Sequence, residues 1–198
     1  MQIHNIEQGT PEWYEARKGK MTASHAQEIG NNGKGLDTYI NKIMARFYSS
    51  ADEESYTNPH MERGIELEQQ ARDIYELETG QTVDQVGFIT LDEYVGCSPD
   101  GLVGEDGGIE IKCKSDEKYF KNLLDPEGEI ESAYLWQIQM NLLITGRKWW
   151  DYVAYNPNFK TPLIVVRITP DEEKHQRLVE GFKSGKEKIN EIIKIMSK

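Results

Sequence analysis

The stretch Ser98-Pro99-Asp100-Gly101, a run of glycines (Gly101, Gly104, Gly107, Gly108) and then Glu110-Ile111-Lys112 constrain this fold more than any other segment. Ile109, Ile111 and Cys113 alternate with Glu110 and Lys112, the period-two pattern of a strand with one apolar face. Glu110 and Lys112 therefore leave that strand on the same side. Asp100 ends the preceding hairpin arm, and the glycine-rich turn lets its carboxylate converge on Glu110. The Ile111 side chain faces away, which leaves its backbone carbonyl available as a third oxygen. Two carboxylates and a carbonyl suit a hard divalent cation such as magnesium, which completes its octahedron with water. Lys112 is a compact cation that can offset the crowded negative charge and orient or help deprotonate a water.

The surrounding pattern predicts an α/β or α+β domain with a mixed central sheet flanked by helices, in one domain over residues 1–198. Ser24 with Gln27 reads as a capping box for a short helix that stops at Gly30. A loop (31–35) and a helix over about 36–48 follow, with Ile40, Ile43, Met44 and Phe47 on one stripe. Residues 49–60 are polar and patternless. A long helix is expected over about 61–78, stopped by Gly80. Its stripe Gly64, Glu68, Ala71, Tyr75 puts Glu68 among small and aromatic residues rather than among the solvated acids. Strands are predicted at 86–90, 94–98 and 109–113, then a helix over 130–145 stopped by Gly146. Strands at 149–156 and 163–169 lead to a final helix, with Thr169-Pro170-Asp171-Glu172 as cap and first turn.

Composition narrows the class. Of the 198 residues 37% are hydrophobic and 29% charged, as in ordinary globular proteins. No apolar run is long enough to span a bilayer, and the first residues lack the pattern of a secretory signal, so a cytoplasmic protein without membrane contact is expected. Cys97 and Cys113 read as reduced thiols, and the four scattered histidines form no zinc spacing. The net charge of −11 argues against generic nucleic-acid binding. The bases are clustered, however, at Arg17-Lys18-Lys20, at Lys112-Lys114-Lys118-Lys121 and at Arg147-Lys148, which suits phosphate held at a defined place.

Glu68 is placed to complete the cation site or to hold a second ion, one ion readying the water and the other stabilising the departing oxyanion. Arg17 can grip phosphate bidentately, and Ser24 at a helix start would sit where amides favour an anion. Each feature also has an ordinary structural reading. Asp-Gly turns are common for conformational reasons, Glu-x-Lys on a strand is usually a solvated face, and Ser24 alone is usually only a cap. Trp136, Trp149 and Trp150 read as packing residues, with no DNA role assigned.

Asp100 with Glu110-Ile111-Lys112 resembles the signature of the restriction-endonuclease-like nuclease superfamily, the pattern of a magnesium-dependent phosphodiesterase. More narrowly, Cys97–Leu102 and Gly108–Cys113 resemble the phage lambda exonuclease, or YqaJ-like viral recombinase, family. Trp13–Ser24, Gly64–Tyr75, Ser132-Ala133-Tyr134 with Gln137 and Gln139, and Tyr155-Asn156-Pro157 follow in matching order. The resemblance implies a 5′→3′ exonuclease that digests one strand of duplex DNA from its ends and leaves 3′ overhangs for phage-type recombination. It implies Mg²⁺, with Mn²⁺ as substitute, at one or two ions per site. Asp100, Glu110 and the Ile111 carbonyl would be ligands, Glu68 the helical acid, Lys112 the catalytic lysine and Gln137 a water- or phosphate-positioning residue. Arg17, Ser24, Ser98 and Lys118 would hold the 5′-phosphate; the family commonly has Arg at the last position. A ring-shaped homotrimer, a single-strand annealing protein as partner and a bacterial host cell come from the same resemblance. The rivals are a restriction-like endonuclease on the same core and a catalytically silent module that binds DNA ends.

Overall fold

The computed structural model describes residues 1–50 and 59–198, and for residues 59–63 and 65 the backbone alone. Most of the patternless stretch 49–60 therefore lies outside the described residues. The chain opens with β1 (Gln2–His4), α1 (Pro11–Arg17), β2 (Met21–Thr22) and a 3-10 turn (Ala23–His25). The helices α2 (Ala26–Asn31), α3 (Lys34–Tyr48) and α4 (Pro59–Thr79) follow. Five strands come next: β3 (Val83–Asp84), β4 (Phe88–Thr90), β5 (Val95–Cys97), β6 (Gly101–Val103) and β7 (Gly107–Cys113). The chain closes with α5 (Asp116–Leu124), α6 (Ser132–Thr145), β8 (Trp149–Tyr155), β9 (Leu163–Ile168) and α7 (Glu172–Met196).

The expected mixed sheet is present, as a five-stranded sheet ordered β3-β6-β7-β8-β9, beside a four-stranded sheet ordered β1-β4-β5-β2. In the larger sheet only β7 and β8 run parallel, pairing Gly107 with Trp149 through Cys113 with Tyr155; the other neighbours are antiparallel. A parallel pair needs a long crossover, and α5 and α6 supply it. Both faces are covered. On one, Ile109, Ile111, Val103 and Val153 pack with Ala71 and Tyr75 of α4. On the other, Trp150, Tyr152 and Ala154 pack with Trp136, Ile138 and Met140 of α6 and with residues of α2, α3 and α7. Gly108, Glu110 and Lys112 pair with those three β8 residues and share their face, so the strand's two charged side chains are turned into the layer beneath α6.

Several local expectations are corrected. Gly101, Gly107 and Gly108 are strand residues of the β6–β7 hairpin, and only Gly104 takes a positive φ, at 53°. Gly107 and Gly108 are needed because a Cβ at either would enter the ring of Trp149 or Trp150 on the neighbouring strand. Ser24 caps nothing: it lies inside the 3-10 turn, and Gln27 turns to Ser132 instead. Gly30 does not end α2, which closes on left-handed Asn32; Gly30 is small because the Trp136 ring lies against it. The cap of α7 is Asp171, which accepts from the Lys174 N–H, rather than Thr169. The tryptophans pack as expected, with Trp150 and Trp136 buried and Trp149 stacked by Arg167 at 3.6 Å. Neither Cys97 nor Cys113 is in a disulfide.

Candidate active site

The β6 ladder ends at Gly101 opposite Ile109, so the edge of β7 beyond that point has no strand beside it. Asp100 fills the gap. Its Oδ2 accepts the Ile111 N–H at 2.6 Å, taking the place of a ladder carbonyl. This bond pins one carboxylate beside the residue that follows Glu110. Glu110 is fully buried. Its Oε1 accepts from Lys112 Nζ and from Gln137 Nε2, each at 2.6 Å, and its Oε2 accepts from Asn141 Nδ2 at 3.3 Å. Gln137 and Asn141 lie one turn apart on α6 and close over the carboxylate from above the sheet. Lys112 keeps 22% of its side chain exposed, so the acidic pair opens to solvent on the lysine's side.

Glu68 approaches from α4. Arg72, one turn on and buried, bonds Glu68 Oε1 at 2.6 Å and the Asp100 carbonyl at 3.2 Å, tying that helix to the hairpin. The three acids are electrostatically crowded. Burial, then the charge of Asp100, pushes Glu110 to about 8 against the pull of Lys112. Burial, then Asp100 again, pushes Glu68 to about 7. Burial also raises Asp100, opposed by Lys112 and by the Ile111 N–H. Burial alone would lower Lys112, but Glu110 and Asp100 together hold its ammonium above the ordinary lysine range. In this arrangement Lys112 donates to the Glu110 carboxylate and places a positive charge beside the acids.

Among the described residues no three His, Cys, Asp or Glu side chains converge closely enough to cage a metal. Magnesium does not need such a cage, since it takes one or two carboxylates and keeps several waters. The donor set fits it: hard oxygens only, with buried carboxylates whose repulsion a cation would relieve. In a strand the N–H and C=O of one residue point to the same edge, so the Ile111 carbonyl shares the unpaired edge with Asp100.

Arg17 and Ser24 line one cavity of about 150 Å³, with Trp13, Lys20, Lys42 and Arg46 among the other walls. Ser98 joins it through Arg17, whose Nη1 donates to Ser98 Oγ at 2.7 Å while Trp13 Nε1 donates to the same oxygen at 3.0 Å. With two donors arriving, the Ser98 hydroxyl hydrogen is left to point elsewhere. The Arg17 guanidinium is stacked 4.1 Å from the Trp13 ring centroid. Lys118 does not line this cavity; it pairs with Glu131 at 3.3 Å. Gln137 is occupied by Glu110, so it orients the carboxylate. Asn141 and Arg72 were missed by sequence reasoning, although each sits four residues after a residue already singled out, Gln137 and Glu68. Lys42 and Arg46 are also four apart, but only the folded chain turns them toward Arg17.

Fold and site together define the class: an α/β domain of the alkaline-exonuclease fold, with buried carboxylates and a lysine at the open edge of its central hairpin. The chain belongs to the YqaJ-like viral recombinase domain family, whose model matches residues 12–148. It is 30% identical to an alkaline exonuclease, LHK-Exo, from Laribacter hongkongensis, with TM-score 0.80 over 95% of this chain and 98% of that one. The same figures hold for that protein's complex with dAMP. A phage-related exonuclease from Haemophilus somnus shares the fold at 16% identity and TM-score 0.62, over 89% of this chain and 96% of that one. No curated protein matches this sequence. Among the described residues no helix is long and apolar enough to cross a membrane.

Proposed function

We propose that this chain is a divalent-metal-dependent 5′→3′ exonuclease acting on duplex DNA ends and leaving 3′ single-stranded overhangs for recombination. The observation that carries the reading is the junction of Asp100, Glu110 and Lys112, made by the Ile111 N–H and the shared Glu110 carboxylate. Family membership and the likeness to an alkaline exonuclease over nearly the whole chain support a nuclease at that junction. Asp100, Glu110 and the Ile111 carbonyl would hold Mg²⁺ or Mn²⁺, with Glu68 beside a second ion. Such an ion supplies Lewis-acid charge and a water of lowered pKa. Gln137 and Asn141 keep both Glu110 oxygens aimed. The Lys112 ammonium stabilises the extra charge that gathers on the scissile phosphate. Arg17, with its fork geometry fixed by Trp13 and Ser98, takes the 5′-phosphate in the cavity that Ser24 also lines.

The resemblance further carries a ring-shaped homotrimer, a single-strand annealing partner and action in the cytoplasm of a bacterial host. A chain of net charge −11 that sets Arg17, Lys18, Lys20, Lys42 and Arg46 around one cavity fits a substrate held by enclosure rather than by a uniformly basic face. Linear and covalently closed duplexes test the reading. With Mg²⁺, linear DNA bearing 5′-phosphates is digested and the closed circle persists, and Arg17→Ala lowers the preference for 5′-phosphate over 5′-hydroxyl ends. Efficient cutting of the circle would make the protein an endonuclease instead.

A further inference from the structure

We infer that Gln8 is a positioning residue: its amide ties together the two crossings of the chain between the sheets and so fixes Asp100 relative to the cavity around Arg17. The inference rests on the reading that Asp100 serves hydrolysis and that this cavity takes a 5′-phosphate. The chain leaves the five-stranded sheet after β3, enters the four-stranded sheet at β4, and returns between β5 and β6. The return is Ser98-Pro99-Asp100. At one end of it Ser98 accepts from Arg17, and at the other Asp100 accepts the Ile111 N–H. The two halves of the site are therefore joined through one residue, Pro99.

Pro99 is buried and has no N–H, so its carbonyl is the one backbone group it brings to hydrogen bonding. Gln8 Nε2 donates to that carbonyl at 3.0 Å, and to the carbonyl of Val86, in the outward crossing, also at 3.0 Å. Both acceptors are carbonyl oxygens, so the amide uses its two hydrogens there. One exposed side chain thus clasps both crossings. Trp13 makes a second clasp on the cavity side: its Nε1 donates to the Gly87 carbonyl and to Ser98 Oγ, each at 3.0 Å. The chain around Gln8 lies tight against the outward crossing, since a Cβ at Gly87 would strike the Ile6 carbonyl.

Trp13 is a wall of the cavity and stacks on Arg17, whereas Gln8 is not among the walls. Gln8 acts through the backbone, by setting how far a seated 5′-phosphate lies from Asp100. A displacement of about 1 Å at such a place costs on the order of 10²-fold in rate.

The test compares the full chain with Gln8→Glu and Gln8→Met. Both replacements keep the length of the side chain; Glu turns oxygens toward two carbonyls and Met has no donor. Nucleotide release in Mg²⁺ from linear duplexes with 5′-phosphate or 5′-hydroxyl ends gives kcat and KM, and fluorescence anisotropy in Ca²⁺ gives Kd. On 5′-phosphorylated ends kcat should fall roughly ten- to a hundredfold in both variants, with Kd within about twofold of the parent because Arg17 is untouched. The loss should be smaller on 5′-hydroxyl ends, which the cavity does not anchor, so the kcat ratio between the two ends moves toward one. A kcat within about twofold of the parent, an equal loss on both ends, or a loss confined to Kd and KM overturns the proposal. If Gln8→Glu does not fold, Gln8→Met decides alone. Release by the parent with variants that match it removes the role of Gln8 and leaves the nuclease; no release by the parent removes both.

Discussion

Glu110 has no solvent contact, and three donors from two elements converge on its two oxygens. A buried carboxylate of this kind strongly favours the state in which a cation lies beside it. Lys112 is that cation in the metal-free chain. Replacing it with Met keeps the stem and removes the charge, and turnover should fall about 10²- to 10³-fold, read as nucleotide release from duplex. Turnover within a few-fold of the parent would remove Lys112 from the chemistry. The crowding also sets the pH dependence of stability. Glu110 and Glu68 are raised to about 8 and about 7 in the folded state from an ordinary 4.5. Groups raised in this way stabilise the fold fully below their unfolded pKa and lose that contribution as pH climbs through the folded value. Metal-free protein should therefore melt lower at pH 8 than at pH 5, by about 2–4 °C for each kcal/mol lost. Lys112 titrates above this window and does not alter the sign. Mg²⁺ should raise the melting temperature more at pH 8 than at pH 6, and Glu110→Gln should flatten the trend. A melting temperature independent of pH in this range would show that the acids are not crowded.

The junction depends on β7 and β8 lying side by side, and that closeness depends on two glycines opposite two tryptophans. Gly108→Ala would drive a methyl group into the Trp150 ring, and destabilisation of about 1–3 kcal/mol by urea denaturation is expected. An unchanged midpoint would mean that the strands can separate freely. The same elements show what was legible in the sequence. The alternation from Ile109 to Cys113 was readable because burial on one face leaves a period-two imprint, and the orientation of Glu110 and Lys112 followed from it. The helical face carrying Glu68 was readable for the same reason at a period of 3.6. Gly101–Val103 reads as a turn in the sequence because a three-residue strand with a glycine carries no periodic signal. The reading of Ser24 and Gly30 rested on local cap chemistry, and tertiary contacts prevailed: Gln27 is drawn to Ser132, and Trp136 needs the space beside Gly30. Asn156 stood out only as part of a matching motif. Folded, it bonds the Lys114 carbonyl and the Asp116 carboxylate, fixing the chain where β7 leads into α5.

Across the whole molecule, the acidic average and the basic cavity divide the work. A net charge of −11 disfavours unselective attraction of a polyanion, while Arg17, Lys20, Lys42 and Arg46 gather their charge around one small hollow. Ser98 spans the two regions: its hydroxyl accepts from Arg17, and it stands two residues before Asp100. The position of an end-binding cavity relative to a hydrolytic centre decides which strand is shortened and from which terminus. One measurement tests this most directly: digestion of a blunt duplex labelled separately at each 5′ and each 3′ terminus, with and without Mg²⁺. The account predicts that 5′ labels are released first as mononucleotides, that 3′ labels remain on long single strands, and that nothing is released without the metal. Early loss of the 3′ labels, or equal digestion in chelator, would contradict it.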